Sequence, residues 1–131
     1  MIKKFKAIIL AGFMCILFTT TAFAAKKNFA FSCIPKGGDG YTSSNPKSDS
    51  EKYAYFTVAN ANLIDKDKVR YVVTNSAHTK EISDAITYIG KSKPYRQTLK
   101  YNSGYAKKDA KYCLKIHSYN YSLRISGRWN S

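Results

Sequence analysis

The sequence is poor in acidic residues, histidine and tryptophan. Its 131 residues include 8 Asp and Glu, 2 His and 1 Trp against 22 Lys and Arg, so the net charge is +14. The few histidines and carboxylates form no His-x-x-x-His spacing and no acidic cluster of the kind that holds a metal ion. We therefore expect no metal and no cofactor, and the excess of positive charge predicts partners that are polyanions.

The sequence also lacks the common motifs of redox and nucleophilic chemistry. No Cys-x-x-Cys pair and no Gly-x-Ser-x-Gly elbow is present. The glycines at 37, 38 and 40 lead into more loop and not into a helix, which excludes a phosphate-binding P-loop there. These absences favour a protein without enzymatic activity.

One catalytic alternative remains open, a small secreted ribonuclease. Such enzymes use a histidine pair, or a glutamate with histidine and a cation, as general base and acid. His78, Glu81 and His117 would meet that requirement, with Lys115 or Arg124 stabilising the developing charge. Two lone histidines in a β protein are far more often surface residues than catalytic ones, so the presence of these residue types is weak support for a ribonuclease.

The first 24 residues are arranged as a cleavable secretory signal peptide. Three lysines precede an uncharged run over residues 7–18, and Ala22-Phe23-Ala24 offers small residues for cleavage after Ala24. A dozen apolar residues span about 18 Å of helix, which is short of the roughly 30 Å hydrocarbon core of a bilayer. We predict that residues 25–131 form one secreted domain, extracellular or attached to the cell wall, with 19 basic and 8 acidic residues.

Two cysteines, Cys33 and Cys113, follow the predicted cleavage site. An even number of cysteines in an exported chain favours a disulfide, and this one would close a loop of about 80 residues worth roughly 4 kcal/mol. However, Cys33 shares a strand face with Phe29 and Phe31, whereas Cys113 falls on the lysine face of its strand. A bridge therefore requires a bulge or a position at a sheet edge, and two free thiols remain the alternative.

Short alternating runs rich in tyrosine and β-branched residues indicate antiparallel β-structure. The predicted strands cover residues 28–34, 52–59, 68–75, about 84–90, 95–101, 111–117 and 121–129. Residues 35–51 are predicted to be a long loop that buries little. Residues 79–89 also fit a helical spacing, but their context favours a strand. We predict an all-β protein, an antiparallel sandwich of about six or seven strands, with an immunoglobulin-like or Greek-key arrangement possible.

The last two predicted strands, 111–117 and 121–129, have the clearest alternation. The three residues between them are a hairpin-length connection, which predicts that the two strands are neighbours in one sheet. Trp129 continues the inward series of the last strand and is predicted to be buried. Gly127 lies in the same inward series and is expected to make room for another side chain or for a bend.

The outward positions of three strands carry cations. If 68–75 lies beside the last two strands, these residues form one basic face that can bind phosphate-bearing polymers. The alternative is an ordinary polar sheet surface. The predicted face consists of Lys68, Arg70, Lys111, Lys115, His117, Arg124 and Arg128.

Two resemblances accompany this pattern. Residues 109–114 resemble the penultimate strand of immunoglobulin and fibronectin-type sandwiches, where a Tyr near the start of the strand anchors a corner. Residues 29–131 resemble small exported proteins of Gram-positive bacteria, which have a β domain ending in Ser-Gly-x-Trp, here Ser126-Gly127-Arg128-Trp129. The second resemblance implies a secreted β-sandwich and supplies no catalytic residues.

The expected function is therefore a secreted, non-catalytic binding domain for anionic cell-envelope polymers or surfaces, such as cell wall or anionic lipid. No sequence-specific nucleic-acid partner is expected. The runner-up is a bacteriocin-like antagonist that acts on target membranes. The sequence has no long basic amphipathic helix, which favours simple binding.

Overall fold

Two antiparallel β-sheets pack face to face in the computed structural model, which describes residues 26–131. The predicted signal peptide at 1–24 lies outside the described residues. The predicted all-β sandwich is confirmed, with nine strands in the described part of the chain. The strands are β1 (Lys27–Ile34), β2 (Asp39–Tyr41), β3 (Asn45–Pro46), β4 (Tyr53–Ala61), β5 (Lys68–Asn75), β6 (Ile86–Ile89), β7 (Gln97–Lys100), β8 (Lys111–Ser118) and β9 (Leu123–Asn130).

The chain passes repeatedly between the two sheets. Sheet A has the strand order β1-β9-β4-β7, so the first and last strands of the described chain are neighbours. Sheet B has the order β2-β8-β5-β6, with the short β3 also paired to β8. Within residues 26–131 we find no helix with the length and apolar character needed to span a bilayer.

The core lies between the sheets and is built from the inward residues of each alternating strand. From sheet A, β9 contributes Leu123, Ile125 and Trp129, and Trp129 is only 1% exposed. The prediction that Trp129 is buried is therefore confirmed. Phe56 of β4 stacks on Tyr71 of β5 with their ring centroids 4.6 Å apart, so the aromatic residues join the two layers.

The predicted hairpin between β8 and β9 is wrong, because the two strands belong to different sheets. Ser118 Oγ donates to the carbonyl of Tyr121 at 2.5 Å, which closes the turn. The Tyr119 amide bonds to Lys68 at the start of β5, whereas the Tyr121 hydroxyl bonds to Asn62 at the end of β4. A connection of this length suits a corner between sheets as well as a hairpin, so length alone does not decide the partner.

Residues 79–89 form extended structure, which confirms the strand interpretation over the helical one. Glu81 bridges to Thr74, and β6 pairs with β5 so that Ile86 lies opposite Tyr71. Ile82 is fully buried in the core. The helical spacing of the isoleucines arises because the chain turns between two short extended pieces.

Residues 35–51 bury more than expected. Instead of a loop they contain β2 and β3, which cover one edge of β8. Lys47 is fully buried, with its ammonium 3.3 Å from the carboxylate of Asp49 and 4.9 Å from the ring centroid of Tyr101. The expectation of a loop that buries little was wrong because backbone pairing at a sheet edge requires no alternating apolar side chains.

The predicted disulfide is also wrong, since Cys33 and Cys113 are both free. Cys33 is exposed on β1, within an irregularity of the pairing between Phe31 and Ile34. Cys113 is buried on β8 in the other sheet. The bulge foreseen as a condition for the bridge is present, but it turns Cys33 to solvent.

Candidate functional site

The seven residues of the predicted basic face do not share one surface. Lys68 and Arg70 of β5 and three residues of β8 lie along the outer side of sheet B. Arg124 and Arg128 lie on β9 and therefore on the outer side of sheet A. The prediction of a single continuous face is wrong, because it assumed that β8 and β9 are neighbours. The three residues of β8 are Lys111, Lys115 and His117.

Two of the sheet B cations are held by Glu81. The Arg70 guanidinium donates two hydrogen bonds of 2.7 Å to the Glu81 carboxylate, and the Lys115 ammonium lies 3.2 Å from it. Arg70 first, and then Lys115, lower the pKa of Glu81 to about 2 against an opposing effect of burial. Glu81 therefore stays ionised near neutral pH and compensates the charges of Arg70 and Lys115, whereas Lys68 and Lys111 form no ion pair with residues 26–131.

His117 is paired in the same way. Its Nδ1 lies 2.6 Å from the Asp39 carboxylate, and Tyr119 packs edge-on against the imidazole with centroids 4.4 Å apart. Lys68 lies over the Tyr119 ring, 4.8 Å from its centroid. With the Glu81 pairs, these contacts make the outer side of sheet B a network of ion pairs and aromatic contacts.

The residues named for the ribonuclease alternative lie only partly together. Glu81, Lys115 and His117 do share the outer side of sheet B, and His78 stacks on Tyr41 at its edge with centroids 3.9 Å apart. Arg124 lies on the other sheet. A carboxylate whose pKa is about 2 is a weak general base, and Glu81 is occupied by two cations.

The outer side of sheet A is different, because shallow cavities follow its central strand β9. We call this surface the sheet A groove. Its cavity beside Arg128 has a volume of 170 Å³ and is also lined by Lys26 and Arg96. Its cavity beside Arg124 has a volume of 610 Å³ and is also lined by Lys93. Two further cavities adjoin these, at Asn28 and Ser126 and at Ser32 and Ser122.

Five cations therefore line the sheet A groove, and all five are exposed. Within residues 26–131 none of them forms an ion pair, and no carboxylate lines the four cavities. Side-chain amides lie between the cations. The groove cations are Lys26, Lys93, Arg96, Arg124 and Arg128, and the amides are Asn28, Asn60, Asn62 and Asn130.

The backbone holds the ends of the groove in place. At one end, the carbonyl of Pro94 accepts from Val58 at 2.8 Å, and the Arg96 amide donates to Thr57 Oγ1 at 3.0 Å. Arg96 has a positive φ of 47°, an uncommon backbone conformation for a residue other than glycine. At the other end, the Arg124 amide donates to Asn62 Oδ1 at 2.7 Å. The groove is thus preorganised at both ends.

Gly127 brings the strands of the groove close together. A Cβ placed on Gly127 would lie 2.0 Å from the carbonyl oxygen of Thr57 and 2.9 Å from the Phe29 ring. The pairing of β9 with β4 is irregular just beyond this point, between Val58 and Asn60. The prediction that Gly127 makes room for a side chain or a bend is confirmed, since Phe29 and the bulged strand occupy the space.

The sequence prediction missed three of the five groove cations. Lys93 and Arg96 flank Pro94 in a segment read only as a turn and the start of a strand, and Lys26 precedes β1. One signal was available: residues 91–100 contain four basic residues and no acidic one. Their position beside β9 depends on the order of strands in the sheet, which no local pattern reveals.

The described residues contain no group of three or more His, Cys, Asp or Glu side chains able to hold a metal ion. Comparison of the chain with protein-family models, curated proteins and solved structures finds no match.

Proposed function

We propose that this protein is a secreted, non-catalytic domain that binds an anionic polymer of the cell envelope in the sheet A groove. The observation that carries the proposal is the contrast between the two sheets. The cations at the centre of sheet B are bonded to Glu81 and Asp39, whereas those of the groove face no carboxylate. An unpaired cation gains more from an external anion, because no internal ion pair has to be broken.

The groove chemistry suits a polymer that carries both charges and hydroxyl groups. Three of its five cations are arginines. Their planar guanidinium groups can donate bidentate hydrogen bonds to phosphate or carboxylate oxygens. Asparagine amides both donate and accept hydrogen bonds, as sugar or polyol hydroxyls require. The groove thus offers both kinds of partner that a phosphate-bearing sugar or polyol chain needs.

The layout along β9 favours a chain over a small anion. Arg124 and Arg128 lie on the same side of one strand, four residues apart, which corresponds to about 13 Å. Two anions of one chain that engage both ends bind with the advantage of high effective concentration. Each contact also displaces counterions, so binding should weaken as salt is added.

The proposal is tested by retention of the protein on purified cell wall, with and without the wall's anionic polymers, over a series of salt concentrations. We expect retention on intact wall only, decreasing with salt. Arg124→Ala combined with Arg128→Ala should reduce it strongly. The matched control is Lys107→Ala with Lys108→Ala, which removes the same charge from an exposed turn.

Two results would overturn the proposal. Equal retention on intact and stripped wall would mean that anionic polymers are not the partner. Equal loss in the arginine and lysine double variants would mean that net charge, and not the groove, is responsible. Release of dye from anionic vesicles together with growth inhibition would instead favour the membrane-acting antagonist.

A further inference from the structure

The described surface exposes two large aliphatic side chains at one end of the sandwich. Ile64 is 58% exposed and Ile89 is 71% exposed, and the other exposed large apolar residues of residues 26–131 are tyrosines. Exposed isoleucines on separate parts of a surface need no explanation. Ile64, however, lies just before the turn that leads into β5, Ile89 is the last residue of β6, and backbone hydrogen bonds join these two segments.

Asp67 joins the two segments. Its backbone amide donates to the carbonyl of Ile64 at 3.1 Å, and its carboxylate accepts from the Ile64 amide. Its carbonyl accepts from the amide of Gly90, the residue after Ile89, at 2.8 Å. Asp67 is 1% exposed, so this connection is internal and leaves both isoleucines pointing away from the core.

A third segment completes the same end. The side chain of Asn120 donates to the carbonyl of Lys66 at 2.6 Å, and the amide of Tyr119 donates to the carbonyl of Lys68. We call this end, formed by residues 62–68, 89–93 and 118–122, the isoleucine tip.

Four lysines lie in the same segments as the two isoleucines of the tip. Lys66, Lys68, Lys91 and Lys93 are all exposed. Of the two acidic residues at the tip, Asp65 is paired with Lys91 at 3.5 Å, and Asp67 is buried. The tip thus combines two exposed apolar side chains with net positive charge, and the partly exposed side chain of Tyr119 lies beside Lys68.

We propose that the isoleucine tip docks on the surface of an anionic lipid bilayer, with Ile64 and Ile89 entering the interface and the lysines contacting headgroups. Charge complementarity selects this occupant. Lysines on flexible stems suit mobile anionic headgroups, and a tyrosine ring beside them suits the boundary between headgroups and acyl chains. Lys93 also lines the sheet A groove, but Ile64 and Ile89 do not, and this inference does not rest on polymer binding.

The test is co-sedimentation of the purified protein with vesicles of phosphatidylcholine alone and of phosphatidylcholine mixed equally with phosphatidylglycerol. We expect binding to the mixed vesicles only. Ile64→Ser and Ile89→Ser should each lower the partition coefficient about tenfold, because each removes a side chain of the size that burial favours by that factor. The matched control is Tyr53→Ser, which removes an exposed apolar side chain at the start of β4 and should leave binding unchanged.

A fluorescence variant reports insertion directly. Trp129 is the only tryptophan and is buried, so its emission should not respond to vesicles. In Ile89→Trp we expect a blue shift on mixed vesicles, and no shift on phosphatidylcholine alone. An unshifted spectrum with bound protein would mean adsorption by charge only and would overturn the inference.

Two further results would also overturn it. Unchanged partitioning of the Ile64→Ser and Ile89→Ser double variant would exclude the tip as the contact. A concentration-dependent dimer that this variant abolishes would identify a second copy of the chain as the occupant. Retention on membrane-free cell wall should be the same for the double variant and the wild type, so failure of the tip and failure of the groove give different results.

Discussion

At the scale of single residues, two carboxylates decide which cations of this protein are available to a partner. Glu81 holds Arg70 and Lys115, and Asp39 holds His117. In a chain with 22 basic and 8 acidic residues, the position of each acidic residue matters more than the number of basic ones. A partner that binds sheet B would have to replace these contacts, which lowers its gain in free energy.

The Glu81 pairs predict a pH-dependent contribution to stability. The pKa of Glu81 is about 2 in the folded protein, below its ordinary value of 4.5, so its contribution is complete above about pH 4.5 and is lost as the pH falls through 2. Glu81→Gln should lower the free energy of unfolding by about 1 kcal/mol at pH 7, as expected for a partly exposed network. Urea unfolding between pH 7 and 2 should show this difference becoming much smaller.

The control for this prediction is Asp84→Asn, because Asp84 is exposed and forms no ion pair with residues 26–131. It should change stability little at any pH in the series. A Glu81→Gln difference that stays constant down to pH 2 would contradict the proposed ion-pair origin.

The cysteines should differ in reactivity. Cys33 is exposed, whereas Cys113 is buried and its burial raises the pKa of its thiol, which lowers the fraction of reactive thiolate. Alkylation of unreduced native protein should therefore add one group, at Cys33, and alkylation in denaturant should add two. Mass spectrometry of the digested protein distinguishes these states. Protein that takes up no alkyl group until a reductant is added would contain the disulfide after all.

At the scale of elements, β9 performs two functions with its two faces. Its inward residues complete the core, and its outward residues carry Arg124 and Arg128 into the groove. It lies between β1 and β4, so a change in its backbone reaches two neighbouring strands. Core and groove are therefore coupled through this one element.

Gly127→Ala is the sharpest test of that coupling. The added Cβ would lie 2.0 Å from the Thr57 carbonyl oxygen, and backbone must move to relieve the overlap. We expect a loss of about 1–3 kcal/mol in the free energy of unfolding, the usual cost of overpacking. Ser126→Ala, at the neighbouring outward position, is the control and should be nearly neutral. Equal urea midpoints for the two variants would contradict the close approach of β4.

At the scale of the whole molecule, the basic residues at the centre of sheet B are paired with carboxylates, whereas the cations of the sheet A groove form no ion pair with residues 26–131. The acidic residues beside sheet B pair with basic residues of the same sheet. No acidic residue lines the cavities of the sheet A groove. The isoleucine tip adds a third surface at one end. Net charge alone describes none of these three surfaces.

This division predicts which variant loses stabilisation by a polyanion. Long-chain polyphosphate at about 100 times its dissociation constant should stabilise the folded protein by about 2.7 kcal/mol and raise the melting temperature by on the order of 10 °C. Arg124→Ala with Arg128→Ala should lose most of this rise. Arg70→Ala should have a lower melting temperature than the wild type, but polyphosphate should raise it by the same amount, because Arg70 is ion-paired with Glu81 and not available to the polymer. The same loss of the rise in both variants, measured by differential scanning fluorimetry, would contradict the division.

The sequence by itself determined the strands and their faces. Period-two alternation is a local property, so β5, β8 and β9 were predicted nearly as they are, and Trp129 was placed inward. It also determined the excess of positive charge.

Only the tertiary structure decided which strands are neighbours: β9 pairs with β1 and β4, and β8 lies in the other sheet. Strand order follows from the joint packing of all the apolar faces and from contacts distant in sequence, such as Asn62 with Arg124, and no single segment encodes it. That order separated the predicted basic face, gave Glu81 its two cations and brought Lys26, Lys93 and Arg96 to the groove.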